Sequence, residues 1–192
     1  MVDPWAPKST TTAFQDDRPR GWSPHIDRAR DVGSPRERGL GFTGVSAVLE
    51  GFEFLAVVSG SLFAGAALYI NVAEHPARML LETRAAVRQW APSYQRATWM
   101  QAPLALGSFV AGVAVWLMGG GVGWLVGAVL VGAVGPFTIV IMPTNHRLLA
   151  TGRNLGSAET RALLKKWGKL HAVRTLLSLC ATAIYVWLVV WA

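Results

Sequence analysis

Four long apolar segments divide the chain, and polar stretches separate them. They cover residues 45–70, 99–120, 122–142 and 172–192. Each has about the 20 residues that an α-helix needs to cross a ~30 Å hydrocarbon core. Backbone polar groups in lipid must be satisfied within a helix, and these segments do not alternate as barrel strands do. The pattern predicts an all-α protein, a four-helix transmembrane bundle.

The first 44 residues have a different character. They are polar, contain five prolines and carry mixed charge, without any apolar period. They also lack the charged start, apolar stretch and small-residue cleavage site of a signal peptide. We therefore predict a disordered N-terminal tail over residues 1–44 and a membrane domain over residues 45–192.

The connections between the segments predict how the bundle is threaded. The linker "GGGVG" between the second and third segments is so short that these two helices must form an antiparallel hairpin. The two longer connections, residues 71–98 and 143–171, then lie together on the other side of the membrane. Both are rich in Arg and Lys, so the positive-inside rule favours the cytoplasmic side for them.

Composition and charge agree with a membrane protein. The chain has 192 residues, 52% hydrophobic and 15% charged, against about 25% charged in a typical soluble domain. The formal net charge is +7, but the basic residues flank apolar segments, which suits lipid headgroups better than nucleic acid. A single cysteine, Cys180, excludes an internal disulfide. P-loop, dinucleotide and nucleophile-elbow motifs are absent.

Polar residues concentrate where three of the segments reach one membrane face. The stretch "NVAEHPARML" (71–80) ends the first segment, "PTNHRLL" (143–149) ends the third, and "KKWGKLHAVRTLL" (165–177) leads into the fourth. The threading alone brings these stretches to the same side. Polar groups at this depth are costly and usually face the interior of a bundle.

Spacing indicates which side chains face inward. Two sets of three residues follow the i, i+4, i+7 spacing of one helix face. They are Asn71, His75 and Arg78, and Trp167, His171 and Arg174. Pro76 can kink or restart the first helix. We expect His75, His171, Asn145 and Arg174 to form a buried site; the alternative is that the cationic side chains extend to the headgroups.

Several motifs together resemble one family. They are "GAALYINVAEHPAR", "WAPSY", "PFTIVIMPTNHRLL" and W-x-x-x-H-x-x-R-T-L-L. In this order and spacing they resemble the anthrone-oxygenase-like family of small integral membrane proteins, over residues 45–192. The resemblance implies a monooxygenase that oxidises a flat aromatic polyketide, an anthrone, to an anthraquinone with O2, as fungal members do in secondary metabolism.

The residues can be matched to that chemistry. Deprotonating an anthrone gives an electron-rich enolate that can pass an electron to O2 without a cofactor, so the site needs a base, an oxyanion stabiliser and a flat apolar slot. The candidate bases are His75 and His171. The candidate oxyanion stabilisers are Arg78, Arg174 and Asn145. The candidate substrate-binding residues are Asn71, Trp90, Tyr94 and Trp167, although aromatic residues at this depth also form interfacial belts by default.

Two alternatives remain open. Copper, iron or haem can be bound by imidazole, and the candidate metal ligands are His75, His171, His146 and Glu74. Small tetraspan bundles also serve as assembly or lipid-binding subunits, in which such a cluster only fixes helix register.

Two further expectations concern position. Glu50 and Glu53 lie about 20 residues, or ~30 Å of helix, from His75 and cannot join the cluster directly. In a eukaryote we expect an integral membrane protein of the endoplasmic reticulum, binding a small hydrophobic aromatic substrate and no nucleic acid.

Overall fold

The described part of the chain is built from helices alone. The computed structural model describes the backbone of residues 35–191 and the side chains of residues 44–191. The helices are α1 (Pro35–Tyr69), α2 (His75–Arg78), α3 (Thr83–Leu117), α4 (Val122–Gly132), α5 (Val134–Leu149) and α6 (Ala158–Val190), with a π-helical turn, Ile70–Glu74, between α1 and α2. The all-α prediction is confirmed.

Four stretches of helix are long and apolar enough to cross a membrane. They are Gly44–Arg78, Thr83–Leu117, Val122–Leu149 and Ala158–Val190. The predicted four-helix transmembrane bundle is therefore confirmed, and the protein is an integral membrane protein. Residues 1–34 of the predicted tail lie outside the described residues. The remaining part, from Pro35 onward, forms the beginning of α1.

Two of the helices begin well before the predicted spans. α3 begins at Thr83 rather than at residue 99, and α6 begins at Ala158 rather than at residue 172. The added turns carry polar residues because they face the interior of the bundle or the headgroup layer, and a hydropathy window detects only the lipid-facing part of a helix. Ser157 caps α6, its side chain accepting a hydrogen bond from the Thr160 N–H.

Glycines set the close packing at the end of the bundle away from the polar residues. Gly119 and Gly121 adopt φ values of 96° and 93°, which allow the tight turn between α3 and α4. A Cβ atom at Gly112 or Gly127 would overlap the Tyr185 ring of α6. Small residues thus let three helix backbones approach one another around one aromatic side chain.

The π-helical turn interrupts the α-helical hydrogen-bond pattern at the polar end. Its hydrogen bond runs from the His75 N–H to the Ile70 carbonyl, five residues back. Pro76, which follows immediately, has no N–H to continue an α-helical ladder. Such turns occur often at functional sites because they rotate the side chains that follow. Asn71 and Arg78 therefore reach different neighbours despite their spacing.

Candidate functional site

The polar end of the bundle contains a buried ion pair with its own hydrogen-bond network. Arg78 on α2 is 3% exposed, and its guanidinium pairs with Glu74 and donates to the Gln89 side chain. The Glu74 carboxylate also accepts from Gln89, at 3.2 Å, and from Ser93 on α3. The charges of Arg78 and Glu74 thus neutralise each other, and both side chains hydrogen-bond to Gln89. The network holds α2 against α3.

Trp167 on α6 is the centre of the aromatic contacts. Its ring centroid lies 5.4 Å from that of His75 and 4.9 Å from that of His171. Trp90 meets it edge-on at 5.7 Å, and Tyr94 stacks on Trp90 at 5.0 Å. The sequence-predicted aromatic residues are therefore in contact with one another and with both histidines, as the helix-face argument requires.

His75 fits closely against α6 beside Trp167. A Cβ atom at Gly168 would overlap the His75 imidazole. The histidine therefore occupies a notch that only glycine leaves open. His75 Nδ1 is buried without a hydrogen-bond partner among the described residues.

His171 is held by a hydrogen-bond relay that determines its tautomer. The Thr175 hydroxyl accepts from Asn71 Nδ2, at 2.6 Å, and directs its one hydrogen to the Ala67 carbonyl, at 3.2 Å, or the His171 carbonyl, at 3.3 Å. This places Asn71 Oδ1, an acceptor only, 3.2 Å from His171 Nδ1. His171 Nδ1 must therefore carry the proton, which leaves the lone pair of the neutral ring on Nε2.

A large apolar cavity lies next to these residues, among α1, α3, α4, α5 and α6. Its volume is about 690 Å³. Most of the lining is apolar, including Phe63, Phe109 and the break between α4 and α5 around Ala133. Its polar lining comes from Tyr94, Thr98, Gln101, Thr138 and Arg174. The volume is typical of a site for a small organic ligand, about 300–1,000 Å³.

A small void adjoins this cavity, and His171 lines it. It measures about 10 Å³ and shares Tyr94, Thr98, Gln101 and Arg174 with the cavity. Its other walls include Arg78, Trp90, Trp167 and His171. The cavity is therefore apolar with one polar end, and His171 lines the small void at that end.

Asn145, a predicted site residue, and His146, a predicted metal candidate, lie outside the cavity and the void. Glu50 and Glu53, on α1, are remote from the cluster as expected. Asn145 is 1% exposed and donates to the Tyr94 hydroxyl at 3.1 Å, but it lines neither the cavity nor the void. His146 is exposed, as is Glu50, and Glu53 is half-buried. Among residues 44–191, no three side chains of His, Cys, Asp or Glu form a group that could hold a metal ion.

Comparisons with known proteins give a matching family and a similar relative. Residues 90–184 match the family model described as anthrone oxygenase. The anthrone oxygenase tpcL of Aspergillus fumigatus is 29% identical over 140 residues, covering 67% of this chain and 87% of the relative. The chain is therefore similar to anthrone oxygenases over about half of its length or more, as its motifs predict. No solved structure matches it.

The part matched to the anthrone oxygenase family contains most of the site. Tyr94, Gln101, His171, Arg174 and the relay residue Thr175 all fall within residues 90–184. Asn71, His75 and Arg78 precede the match. The family resemblance predicted from the motifs is confirmed, and an anthrone-oxygenase-like function follows at the level of the family.

Sequence reasoning missed three polar residues of the cavity, Thr98, Gln101 and Thr138. Gln101 is 2% exposed and lines both the cavity and the void, and Thr98 lies one turn before it on α3. Gln101 stands inside the apolar run "WMQAPLALGS". A polar side chain there was a signal in itself, because such residues in a span usually face the bundle interior.

Proposed function

We propose that this protein oxidises a flat aromatic polyketide, an anthrone, to its anthraquinone with O2. The observation that supports this most directly is the position of Arg174 on the wall of a 690 Å³ apolar cavity, with His171 on the wall of the small void beside it. A cavity of this size and polarity suits a fused tricyclic compound with one ring carbonyl.

His171 is the proposed base. Its Nδ1 is occupied by Asn71, so Nε2 is free to accept a proton. His75, the other candidate, lines neither the cavity nor the void and fits into the notch at Gly168. We therefore assign His75 to packing against Trp167.

Arg174 is the proposed stabiliser of the enolate. Among the described residues it has no ion pair, and its Nε is buried without a partner. Its guanidinium carbon lies 5.9 Å from the Phe63 ring centroid on the cavity wall. A fixed cation at the place where negative charge develops stabilises a transition state strongly in an apolar site.

The reaction balances without an external reductant. The base removes one hydrogen of the ring CH2 group as a proton, and the charge spreads to the ring oxygen. The enolate transfers an electron to O2, and the resulting radical and superoxide combine to form a C–O bond. Loss of the second ring hydrogen as a proton then breaks the O–O bond. One oxygen atom remains as the new carbonyl, and the other leaves as water.

Consumption of O2 by purified protein with an anthrone tests the proposal. His171→Ala is expected to lower kcat by about 10²–10⁴-fold, the usual contribution of a general base. Arg174→Gln keeps the length but removes the charge, and we expect a loss of about 10²-fold or more. Arg96→Gln, an exposed arginine on α3, is the matched control and should retain full turnover. Full oxidation by His171→Ala would contradict the proposal.

The same sample distinguishes a metal-dependent reaction. We propose that no cofactor is required, and a metal analysis with an absorption spectrum checks this directly. Stoichiometric copper or iron, or a Soret band, that is lost in His75→Ala would instead identify His75 as a ligand. We further propose an endomembrane location, the endoplasmic reticulum in a eukaryotic host. Microscopy of the tagged chain tests that location.

A further inference from the structure

The small void beside the cavity is surrounded by hydrogen-bond donors that have no partner. Four of its lining residues carry a buried N–H group without an acceptor among the described residues. These groups are Arg78 Nη1, Trp90 Nε1, Gln101 Nε2 and Arg174 Nε. None of the unpaired atoms on the wall of this void is purely an acceptor. Four residues on the wall of the void therefore carry donors that lack an acceptor among the described residues.

Burial makes these unpaired donors significant. Arg78 is 3%, Trp90 0% and Gln101 2% exposed. Buried N–H groups in folded proteins are nearly always paired, so each one that is not calls for a missing partner. They come from three separate helices, α2, α3 and α6. An acceptor in the void would be surrounded by residues of all three helices.

The charge at the void is positive. Arg78 uses Nη2 to pair with Glu74, which leaves Nη1 free, and Arg174 has no ion pair among residues 44–191. A cation without a counter-ion is costly inside a membrane span. The missing partner is therefore better satisfied by an anion than by a neutral acceptor.

The size of the void limits that partner. About 10 Å³ is room for one water-sized species. A tricyclic substrate is far too large for this void, but the adjoining cavity can hold it. A diatomic species with one end in the void and the other directed toward the cavity fits both spaces, because the two share Gln101 and Arg174.

We propose that this void is the dioxygen pocket of the oxidation, and that Arg78, Trp90, Gln101 and Arg174 stabilise superoxide as it forms there. The inference rests on the proposed function. In the step concerned, the enolate loses one electron and O2 gains it. The two radicals then couple into a C–O bond, and the terminal peroxide oxygen takes the proton that His171 removed from the ring carbon.

Gln101→Glu tests this assignment because it replaces a donor by an anion of the same shape. Its carboxylate would pair with Arg174 and repel superoxide. In lipid nanodiscs we expect kcat/KM for O2 to fall about tenfold or more, a cost typical of losing a donor at a developing charge, with KM for the anthrone unchanged within about twofold. Gln95→Glu, exposed on the same helix, should behave as the parent protein. Trp90→Phe removes one N–H and should change the O2 dependence in the same direction.

Anion binding gives a readout that does not require turnover. Sodium chloride is expected to raise the thermal midpoint of the parent protein above that in sodium methanesulfonate at equal ionic strength, because the larger anion does not fit the void. Gln95→Glu should keep this difference and Gln101→Glu should lose it.

Each outcome decides the assignment. A rise in KM for the anthrone alone in Gln101→Glu and Trp90→Phe would show that the donors hold the substrate oxygen, and would overturn the proposal. Equal chloride effects in the parent and Gln101→Glu would also overturn it. A parent protein that binds chloride through Gln101 but does not oxidise anthrone would support the anion site and refute the proposed function.

Discussion

Replacing Thr175 by valine tests the relay that sets the His171 tautomer. The substitution keeps the shape of the side chain and removes only the hydroxyl. The side chain can then no longer accept from Asn71 Nδ2, at 2.6 Å, or donate to the Ala67 and His171 carbonyls, at 3.2 and 3.3 Å. The Asn71 amide is then no longer held with Oδ1 toward His171 Nδ1.

The expected loss of activity follows from the hydrogen bond between Asn71 Nδ2 and the Thr175 hydroxyl, which orients the Asn71 amide. A neutral hydrogen bond contributes about 1 kcal/mol net. If this energy is what keeps the amide in its orientation, its loss changes the ratio of the two His171 tautomers by about fivefold, since ~1.4 kcal/mol corresponds to a factor of ten. We therefore expect kcat for anthrone oxidation to fall about two- to tenfold. Removing the base itself should cost far more, about 10²–10⁴-fold.

A matched control separates the relay from general packing. Thr182 lies two turns further along α6, and its hydroxyl is buried without a partner among the described residues. Thr182→Val should leave kcat unchanged and leave stability equal or slightly higher, because an unpaired buried hydroxyl is removed. O2 uptake, measured across pH for both variants, provides the comparison.

Non-additivity is the sharpest part of the test. Asn71→Leu removes the same constraint on His171, so the double variant with Thr175→Val should lose little more activity than Asn71→Leu alone. Unchanged kcat in Thr175→Val would refute the reasoning. So would equal losses in Thr175→Val and Thr182→Val, because the effect would then belong to packing.

Two other substitutions test the cavity and the histidine notch. Gly135→Trp should abolish anthrone oxidation without unfolding the protein, because Gly135 lines the cavity and open space surrounds its Cβ position. Gly65→Trp, at a similarly open and exposed position on α1, is the control. Equal O2 uptake by the two variants would contradict the cavity assignment. Gly168→Ala should lower stability by about 1–3 kcal/mol through overpacking against His75, and a thermal midpoint equal to that of the parent protein would show that the notch can relax.

The fold was largely predictable because lipid restricts what a chain can form. Apolar length and a short glycine linker predict four helices and the α3–α4 hairpin, and hydropathy is a strong signal for both. The helix starts at Thr83 and Ala158 were not predicted. The turns from those residues to the spans are stabilised by contacts within the bundle, which a hydropathy window does not register.

Most residues of the candidate site could be predicted from the sequence, but their hydrogen-bond partners could not. Helix periodicity placed Trp167, His171 and Arg174 on one face, and the structure buries or half-buries all three. The relay from Ala67 through Thr175 and Asn71 joins residues about 100 positions apart. Such a contact depends on the rotation introduced by the π-helical turn, which has no simple sequence signature.

The two arginines show most clearly why pairing matters. Their spacing from His75 and His171 is the same, so sequence reasoning gave Arg78 and Arg174 the same role. Arg78 is compensated by Glu74 and held by α3, whereas Arg174 lines the cavity and has no carboxylate partner among residues 44–191. A compensated cation adds little net field to a nearby anion, and an uncompensated one in an apolar site adds much. Arg174 is therefore the residue whose charge most favours an anionic intermediate, and Arg78 contributes to the same end mainly through its one unpaired N–H.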